Sequence, residues 1–428
     1  MRLARLLLLP LLFVLSAQTA IAHQTVLLIS CDGFRWDYPL WYDTPFLDSI
    51  ARNGVSGNLV PSFPSKTFPN HYTLATGLRP EHHGIIANQF LDRQTGAHFS
   101  LSDSVTKFDA HYYKGEPLWL TAQRQGLHTA VFYWPGSDVP VQGTYPDVWF
   151  AYNQTPRLTP SQRVDSILGQ LTSPHRPELI MAYFEEPDHS GHYFGPQGKE
   201  TRHAVEAIDS LLASLWMRIG TTGLRDSINL LVVSDHGMTW FTPHGQIHVD
   251  KYLHSDWYQC IEGNLPANIY ASETWQQDSI VHALSNVPHL RVWRKADIPA
   301  WLHYQADPNI GDIVAVPDQG FIFTDLPCTY GGVHGYDPAH NDMHALFRAC
   351  GPNLQRGTAL GQFSNTAVYP LACHLLGIQP APNNGEEAFH AIQEKTLISF
   401  KETTEKATSP KKSNLKRRKN NGKRIIKP

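Results

Sequence analysis

Residues 24–31 read QTVLLISC, and residues 32–38, which follow directly, read DGFRWDY. The first segment is a short, nearly continuous apolar run, which is typical of a strand buried on both faces of a parallel sheet. Similar runs occupy residues 130–134, 179–184, 229–234 and 313–316, and amphipathic stretches such as residues 201–218 lie between them. Strands that alternate with such helices predict an α/β fold with a doubly wound, mostly parallel central sheet.

The pattern changes between about residues 239 and 324. Shorter alternating segments, such as ANIYAS (residues 267–272) and LRVWRK (residues 290–295), are separated there by proline and glycine turns. We interpret this region as a small inserted α+β cap subdomain. It interrupts a catalytic domain that we expect to span residues 23–400.

The two ends of the chain differ from this body. Residues 1–22 combine two arginines, a dozen-residue apolar run and the small-x-small sequence Ala20-Ile21-Ala22, which predicts a signal peptide cleaved before His23 and export to the periplasm or the exterior. Residues 401–428 hold 11 basic and 2 acidic residues and are predicted to be a disordered basic tail. The alternative interpretation is a weak contact of this tail with a polyanion or a membrane surface.

Composition excludes several classes of protein. With 428 residues, of which 42% are apolar and 17% charged, the chain is not disordered, collagen-like or coiled-coil. The net charge of −3 hides a body of about −14 between the two basic ends, which argues against specific DNA or RNA binding. Five cysteines are too few for a disulfide framework, although Cys260 and Cys328 fall in the predicted cap and are candidates for a pair.

Acidic and imidazole side chains follow the predicted strands where the strands end. In open α/β sheets, ligands bind beyond the carboxyl ends of the strands. The candidates of this kind are Asp32, Asp188, His192, Asp235, His236 and His334. Mixed carboxylate and imidazole ligands suit Zn²⁺, and six are enough for two ions with substrate or water completing each shell.

A hydroxyl nucleophile is expected in PSFPSKTFPNHYTLATG, residues 61–77. Thr67 stands in a proline-rich turn before a helix predicted to begin near Pro69, where free backbone N–H groups favour a phosphate and an alkoxide. Ser65 and Thr73 compete with Thr67 on chemistry alone. Composition does not choose among the three.

These strings, taken together, resemble the nucleotide pyrophosphatase/phosphodiesterase family of the alkaline phosphatase superfamily. The resemblance runs in order from about residue 24 to 352. The matching segments are SKTFPNHYTLATGLRPEHHGIIAN (residues 65–88), EPDHSGHYFGP (residues 186–196), SDHGM, HGYD and Asp342-Met343. Two positions depart from the family strings: Arg79 stands where Tyr is more common, and Pro338 stands where Asn is usual.

The resemblance implies a role for each matching residue. Thr67 corresponds to the family's nucleophile, which becomes covalently attached to the nucleotidyl group. Asn88 corresponds to a hydrogen-bond donor to a phosphate oxygen, and Phe68 and Tyr152 correspond to an aromatic pair that holds the nucleobase. The implied ligands are Asp188, His192 and His334 for one zinc, and Asp32, Asp235, His236 and Thr67 for the other.

The implied activity is hydrolysis of nucleotide phosphodiester or phosphoanhydride bonds, with release of nucleoside 5′-monophosphates. Alternatives are a phosphodiesterase acting on lysophospholipid or choline head groups and a phosphomonoesterase of the same superfamily. A sulfatase is disfavoured because its C-x-P-x-R motif is absent: Cys350-Gly351-Pro352 is followed by Asn353-Leu354. The sequence leaves the oligomeric state open.

Overall fold

The computed structural model describes residues 24–242, 244–326, 329 and 331–398. The predicted signal peptide and basic tail lie outside these residues and stay predictions. The strands are β1 Thr25–Cys31, β2 Val55–Val60, β3 Gln89–Leu91, β4 His98–Ser100, β5 Thr129–Phe132, β6 Val148–Phe150, β7 Leu179–Phe184, β8 Ile228–Val233, β9 Thr239–Trp240, β10 Gln246–Ile247, β11 Tyr258–Glu262, β12 Ala267–Ala271, β13 Leu290–Arg294, β14 Ile313–Pro317, β15 Ile322–Phe323, β16 Gly332–Val333, β17 Ala345–Cys350 and β18 Thr358–Ser364. The helices are α1 Tyr38–Trp41, α2 Pro45–Asn53, α3 Thr67–Thr76, α4 Pro80–His83, α5 Leu118–Arg124, α6 Pro160–Leu171, α7 Asp188–Phe194, α8 Lys199–Thr221, α9 Gln276–Leu284, α10 Val368–Leu376 and α11 Glu386–Thr396.

Eight strands form the central sheet in the order β18-β2-β17-β8-β1-β7-β5-β6. β1 pairs in parallel with β7 and β8, β5 pairs in parallel with β6 and β7, and β18 pairs in parallel with β2. Within this sheet β17 is antiparallel to both of its neighbours, β2 and β8. The predicted mostly parallel sheet is therefore confirmed.

Both faces of the sheet are buried. Val26 and Leu28 of β1 pack into one core with residues of α3, α5 and α10, whereas Leu27 and Ile29 pack into a second core with residues of α2, α6 and α8. Helices thus cover both faces, as a doubly wound sheet requires. All seven residues of β1 are buried, which explains why its sequence is apolar without alternation.

A second, four-stranded sheet has the order β11-β12-β14-β13 and is antiparallel throughout. It lies within the predicted cap region, and α9 packs against β13 and β14. The boundaries of the cap and of the other domains stay predictions.

One strand assignment was wrong. The run at residues 313–316, grouped with the central parallel strands by its apolar character, belongs to β14 of the antiparallel cap sheet. Its even residues, Val314 and Val316, pack into the main core, and its odd residues, Ile313 and Ala315, pack into the cap core. A strand buried on both faces has the same apolar pattern in either kind of sheet.

Two further sequence predictions concern the cysteines and the membrane. Cys31 and Cys373 are buried free thiols, and Cys260 is partly buried, but Cys328 lies outside the described residues, so the suggested Cys260–Cys328 pair stays a prediction. Within the part of the chain that the structure describes, no helix combines the length and apolar character needed to cross a bilayer.

Candidate active site

The ends of three adjacent central strands place four of the predicted side chains in one cluster. Asp32 follows β1, Asp188 opens α7 just after β7, and Asp235 and His236 follow β8. The Nε2 atom of His236 lies 3.1 Å from Asp235 Oδ2 and 3.4 Å from Asp32 Oδ1. The backbone N–H of Asp188 donates to the carbonyl of Asp32 at 3.0 Å, which ties the first two strand ends together.

Two histidines join this cluster from other elements. His192 lies one turn after Asp188 in α7, and its Nε2 atom is 3.5 Å from Asp188 Oδ2. His334 follows β16, and its Nε2 atom is 3.7 Å from Asp188 Oδ1 and 3.1 Å from His192 Nε2. The rings of His236 and His334 stack with centroids 3.6 Å apart, so the two groups of ligands are contiguous.

Backbone carbonyls orient all three imidazoles. The Nδ1–H groups donate at 2.8–2.9 Å, from His192 to Gly332 O, from His236 to Gly237 O and from His334 to Ser65 O. The Nε2 lone pairs therefore face the carboxylates, as in metal-binding histidines whose other nitrogen is fixed by a carbonyl. Burial lowers the pKa of His236 and His334 well below the ordinary value, which keeps both imidazoles neutral.

Several buried atoms of the cluster lack the positive partner that they need. Asp32 Oδ1, Asp188 Oδ1 and Asp235 Oδ2 accept no hydrogen bond within the described residues. Burial and the neighbouring carboxylates raise the pKa of Asp32, and burial and Asp188 raise the pKa of Asp235 to about 8. The Nε2 atoms of His192 and His334 are 3.1 Å apart, and their lone pairs also repel each other. Divalent cations among these donors would relieve each of these costs.

Thr67 is the hydroxyl that reaches this cluster. It is the first residue of α3, so this helix begins two residues before the predicted start at Pro69. Its hydroxyl donates to His236 Nε2 at 3.2 Å. Ser65 instead donates to the Tyr336 carbonyl at 2.6 Å, and Thr73 is fully buried beside His83. The two competing hydroxyls are thereby directed away from the carboxylates.

A slot of about 290 Å³ opens beside Thr67. Its lining includes the predicted substrate residues Phe68, Asn88 and Tyr152, together with Asp32 and Asp188. Asn88 has a buried side-chain oxygen without a hydrogen-bond partner in the described structure. The structure thus brings all ten predicted site residues to one locus.

The sequence reasoning missed four charged or titratable residues around this locus. His71 lies one turn after Thr67 on α3, with Nδ1 3.2 Å from Asp235 Oδ2 and Nε2 2.8 Å from Ser30 Oγ. Lys66 directly precedes Thr67, and burial lowers the pKa of its ammonium to about 8. The i, i+4 spacing of Thr67 and His71 is the signal that would have identified His71.

Lys107 and Asp138 line the slot itself. The Lys107 ammonium lies 5.9 Å from the centroid of the Phe68 ring and 5.8 Å from that of Tyr152. Burial lowers the pKa of Lys107 and raises the pKa of Asp138. Neither residue stands in a motif, so only the packing of the loops reveals them.

Comparisons with known proteins agree with this architecture. The family model described as type I phosphodiesterase / nucleotide pyrophosphatase matches residues 26–337. The chain is 37% identical over 368 residues to ectonucleotide pyrophosphatase/phosphodiesterase family member 5 of Homo sapiens, an alignment that covers 85% of this chain and 76% of the relative. It is 36% identical over 367 residues to a bis(5′-adenosyl)-triphosphatase of Bos taurus, with 84% and 80% covered.

Solved structures give the same result. The human family member 5 structure matches with a TM-score of 0.82 and 36% identity, covering 87% of this chain and 100% of that chain. An inactive variant of the murine protein, in which a threonine is replaced by alanine, in complex with AMP, matches with a TM-score of 0.82, 34% identity and the same coverage. The chain is therefore an enzyme that belongs to the type I phosphodiesterase / nucleotide pyrophosphatase family.

Proposed function

We propose that this enzyme is an exported, zinc-dependent hydrolase that cleaves phosphodiester or phosphoanhydride bonds of nucleotides and releases nucleoside 5′-monophosphates. The observation that carries the proposal is the Thr67 hydroxyl, 3.2 Å from His236 Nε2, at the edge of a cluster of imidazoles and of carboxylates whose buried oxygens lack a hydrogen-bond partner within the described residues. The proposed zinc ligands are Asp188, His192 and His334 for one ion, and Asp32, Asp235, His236 and Thr67 for the other. When bound, such ions lower the pKa of the hydroxyl and neutralise charge on the phosphate and the leaving oxygen.

Thr67 is proposed to act as the nucleophile. The Thr67 hydroxyl gives up its proton to solvent, and its Oγ1 atom forms a bond to phosphorus while the bond from phosphorus to the leaving oxygen breaks and its electron pair departs with that oxygen. Water then attacks the phosphorus, the Thr67 Oγ1–phosphorus bond breaks, and the hydroxyl recovers a proton. The position of Thr67 at the start of α3 directs free N–H groups and the positive helix end towards the phosphate. Asn88 is proposed to donate its amide N–H to a non-bridging oxygen.

The slot supports a nucleotide as the substrate. Phe68 and Tyr152 offer aromatic faces for a base, and Lys107 and Asp138 add polar groups between and beside them. One relative is described in complex with AMP, and another is named for hydrolysis of a bis(5′-adenosyl) compound. These relatives favour small nucleotides as substrates.

The two alternative substrates fit less well. A choline head group carries a positive charge, which the Arg157 guanidinium, 4.5 Å from the Tyr152 ring centroid, and the Lys107 ammonium, 5.8 Å from it, would repel. A phosphomonoester calls for an additional cation, whereas the proposed phosphate donor beside Thr67 is the neutral amide of Asn88. Turnover of p-nitrophenyl thymidine 5′-monophosphate should exceed that of p-nitrophenyl phosphate and of p-nitrophenylphosphocholine.

The Thr67→Ala variant tests the proposed nucleophile. We expect diester hydrolysis to fall by on the order of 10³-fold or more, because loss of a covalent nucleophile removes the first chemical step. Zinc content measured by elemental analysis should stay near that of the unmodified enzyme, since six other ligands remain. Thr67→Ser keeps a hydroxyl and should retain measurable turnover. Activity of Thr67→Ala close to that of the unmodified enzyme would exclude Thr67 as the nucleophile.

Export is proposed from residues 1–22, which lie outside the described part of the chain. The names of the relatives place those proteins outside the cell as ectonucleotide enzymes. N-terminal sequencing of the protein recovered from the periplasm or the medium should begin at His23. A protein that retains Met1 in the cytoplasm would contradict this proposal.

A further inference from the structure

A second cavity, of about 300 Å³, lies apart from the aromatic slot and shares no lining residue with it. Residues 60–63, which lead towards Thr67, form part of its wall, and residues 337–339, which follow His334, form another part. Phe63 and Leu302 are buried apolar lining residues, and Trp301, which is 66% exposed, also lines the cavity. The volume lies at the lower end of the range for small-molecule sites.

Two basic side chains that line this cavity have neither a hydrogen-bond partner nor an ion-pair partner within the described residues. Within the described residues, the guanidinium of Arg79 makes no hydrogen bond and no ion pair, and Glu81 and Glu387 act on it only at longer range. The Glu81 carboxylate instead accepts from the backbone N–H groups of Gln305 and Ala306. The imidazole of His303 also has no hydrogen-bond partner in the described structure, and burial, together with the nearby positive charge of Arg79, lowers its pKa.

The acidic residue of the cavity does not neutralise these groups. Asp337 lines the cavity, but its carboxylate pairs with Arg291 at 3.2 Å and accepts the backbone N–H of Ala339 at 3.0 Å. A partly buried guanidinium without an acid is unusual, because arginine in such positions is normally paired.

The imidazole of His344 forms a buried part of the cavity wall. It lines the cavity, only 3% of it is exposed, and its Nε2–H donates to the Pro338 carbonyl at 3.0 Å. Its buried Nδ1 atom is then an acceptor, and no donor among the described residues reaches it. This nitrogen is also closed off from the cavity, so the groups that can bind a ligand there are the side chains of Arg79 and His303.

We propose that this cavity binds a small molecule that carries a phosphate group. The phosphate contacts Arg79 and His303, whose several N–H donors match its oxygens. The apolar side of the ligand lies along Phe63 and Leu302, with Trp301 at the opening. Arg79 and Pro338, the two positions that depart from the family strings, both line this cavity.

Equilibrium dialysis of the full-length, metal-loaded enzyme against inorganic phosphate, with AMP in a parallel series, tests the proposal. We expect two phosphates per chain, one at the candidate active site and one in this cavity, and crystals soaked in phosphate should show the second beside Arg79. In Arg79→Gln the second site should weaken at least about 10-fold, because a charged hydrogen bond is lost. Diester hydrolysis without added phosphate should not change. Arg79→Lys should restore part of the binding.

Arg52→Gln is the matched control, since Arg52 is an exposed arginine on α2 that does not line the cavity, and it should keep both sites. If AMP binds both at the candidate active site and in the cavity, the ligand of the cavity is a phosphate ester. If the cavity binds inorganic phosphate but not AMP, its ligand is free phosphate. The proposal is wrong if the unmodified enzyme binds one phosphate, if Arg79→Gln keeps both, or if soaked crystals hold only water in the cavity. These results do not depend on the identity of the nucleophile.

Discussion

Phe68 and Tyr152 line one slot but come from different parts of the chain, the first from α3 and the second from the segment after β6. Stacking of a base on an aromatic side chain contributes about 1–3 kcal/mol. We therefore expect Phe68→Ala and Tyr152→Ala each to lower kcat/KM for p-nitrophenyl thymidine 5′-monophosphate by about 5- to 100-fold. The same variants should change hydrolysis of methyl p-nitrophenyl phosphate, which has no base, much less. Equal losses on both substrates would argue against a base-binding role.

Gly33 separates Asp32 from the rest of the strand-end loop and has a backbone φ of 63°. A Cβ atom there would lie 2.8 Å from Asp188 Cβ, so Gly33→Ala should displace a proposed metal ligand. We expect metal affinity, measured by chelator competition, to fall by about 10- to 100-fold and stability to fall by about 1–2 kcal/mol. Gly96→Ala is the control, because Gly96 has a φ of 75° with no atom within 4 Å of the added Cβ. Unchanged metal affinity in Gly33→Ala would contradict the proposed geometry.

At the scale of elements, the contact between α3 and α4 depends on the neutral imidazole of His83. Its Nε2 atom lies 3.1 Å from the Pro69 carbonyl, its Nδ1 atom accepts the N–H of Ile85 at 3.2 Å, and burial lowers its pKa to about 3. The unfolded chain binds a proton near pH 6.5, but the folded chain does not, so stability must decrease as the pH falls below about 6.5. At pH 5 the loss from this group is about 2 kcal/mol.

Urea denaturation at pH 7 and pH 5 checks this expectation. His83→Gln cannot titrate in this range, so its stability should fall less between the two pH values than that of the unmodified enzyme. The quantity compared is the change in the free energy of unfolding between pH 7 and pH 5. The contribution of the other titrating groups is the same in both proteins and cancels, and a lower stability of the variant at both pH values does not affect the comparison. An identical change for the two proteins would show that His83 does not cause the loss of stability at low pH.

At the scale of the whole molecule, the proposed cations connect elements that are far apart in the chain, from Asp32 after β1 to His334 after β16. Removal of the metal should abolish activity and lower the Tm, because ions that bind only the folded state stabilise it by about 4 kcal/mol each at a thousandfold excess over Kd. Added Zn²⁺ should restore both quantities. A chelated enzyme that keeps its Tm and its activity would contradict a metal centre at this cluster.

The central layer of the fold was predictable because burial on both faces leaves a direct trace in composition. The bounds of β7 match the predicted run at residues 179–184, and α8 contains the predicted helix at residues 201–218. β17 was not recognised, although it is buried and central, because its antiparallel direction has no signature in its sequence ALFRAC. Residues 313–316 were assigned to the wrong sheet for the same reason, because a buried apolar run predicts a strand but does not specify which strands it pairs with.

The sequence by itself determined the chemistry that is available at the strand ends: carboxylates after β1, β7 and β8, imidazoles nearby and a hydroxyl beside a helix start. Only the tertiary structure decided that Thr67 rather than Ser65 or Thr73 reaches them, and that Lys107 and Asp138 line the slot. It alone brought Arg79 and His344 to one cavity. Local periodicity and motifs report how each segment is buried, whereas distances between segments depend on how the helices, the sheets and the cap pack together.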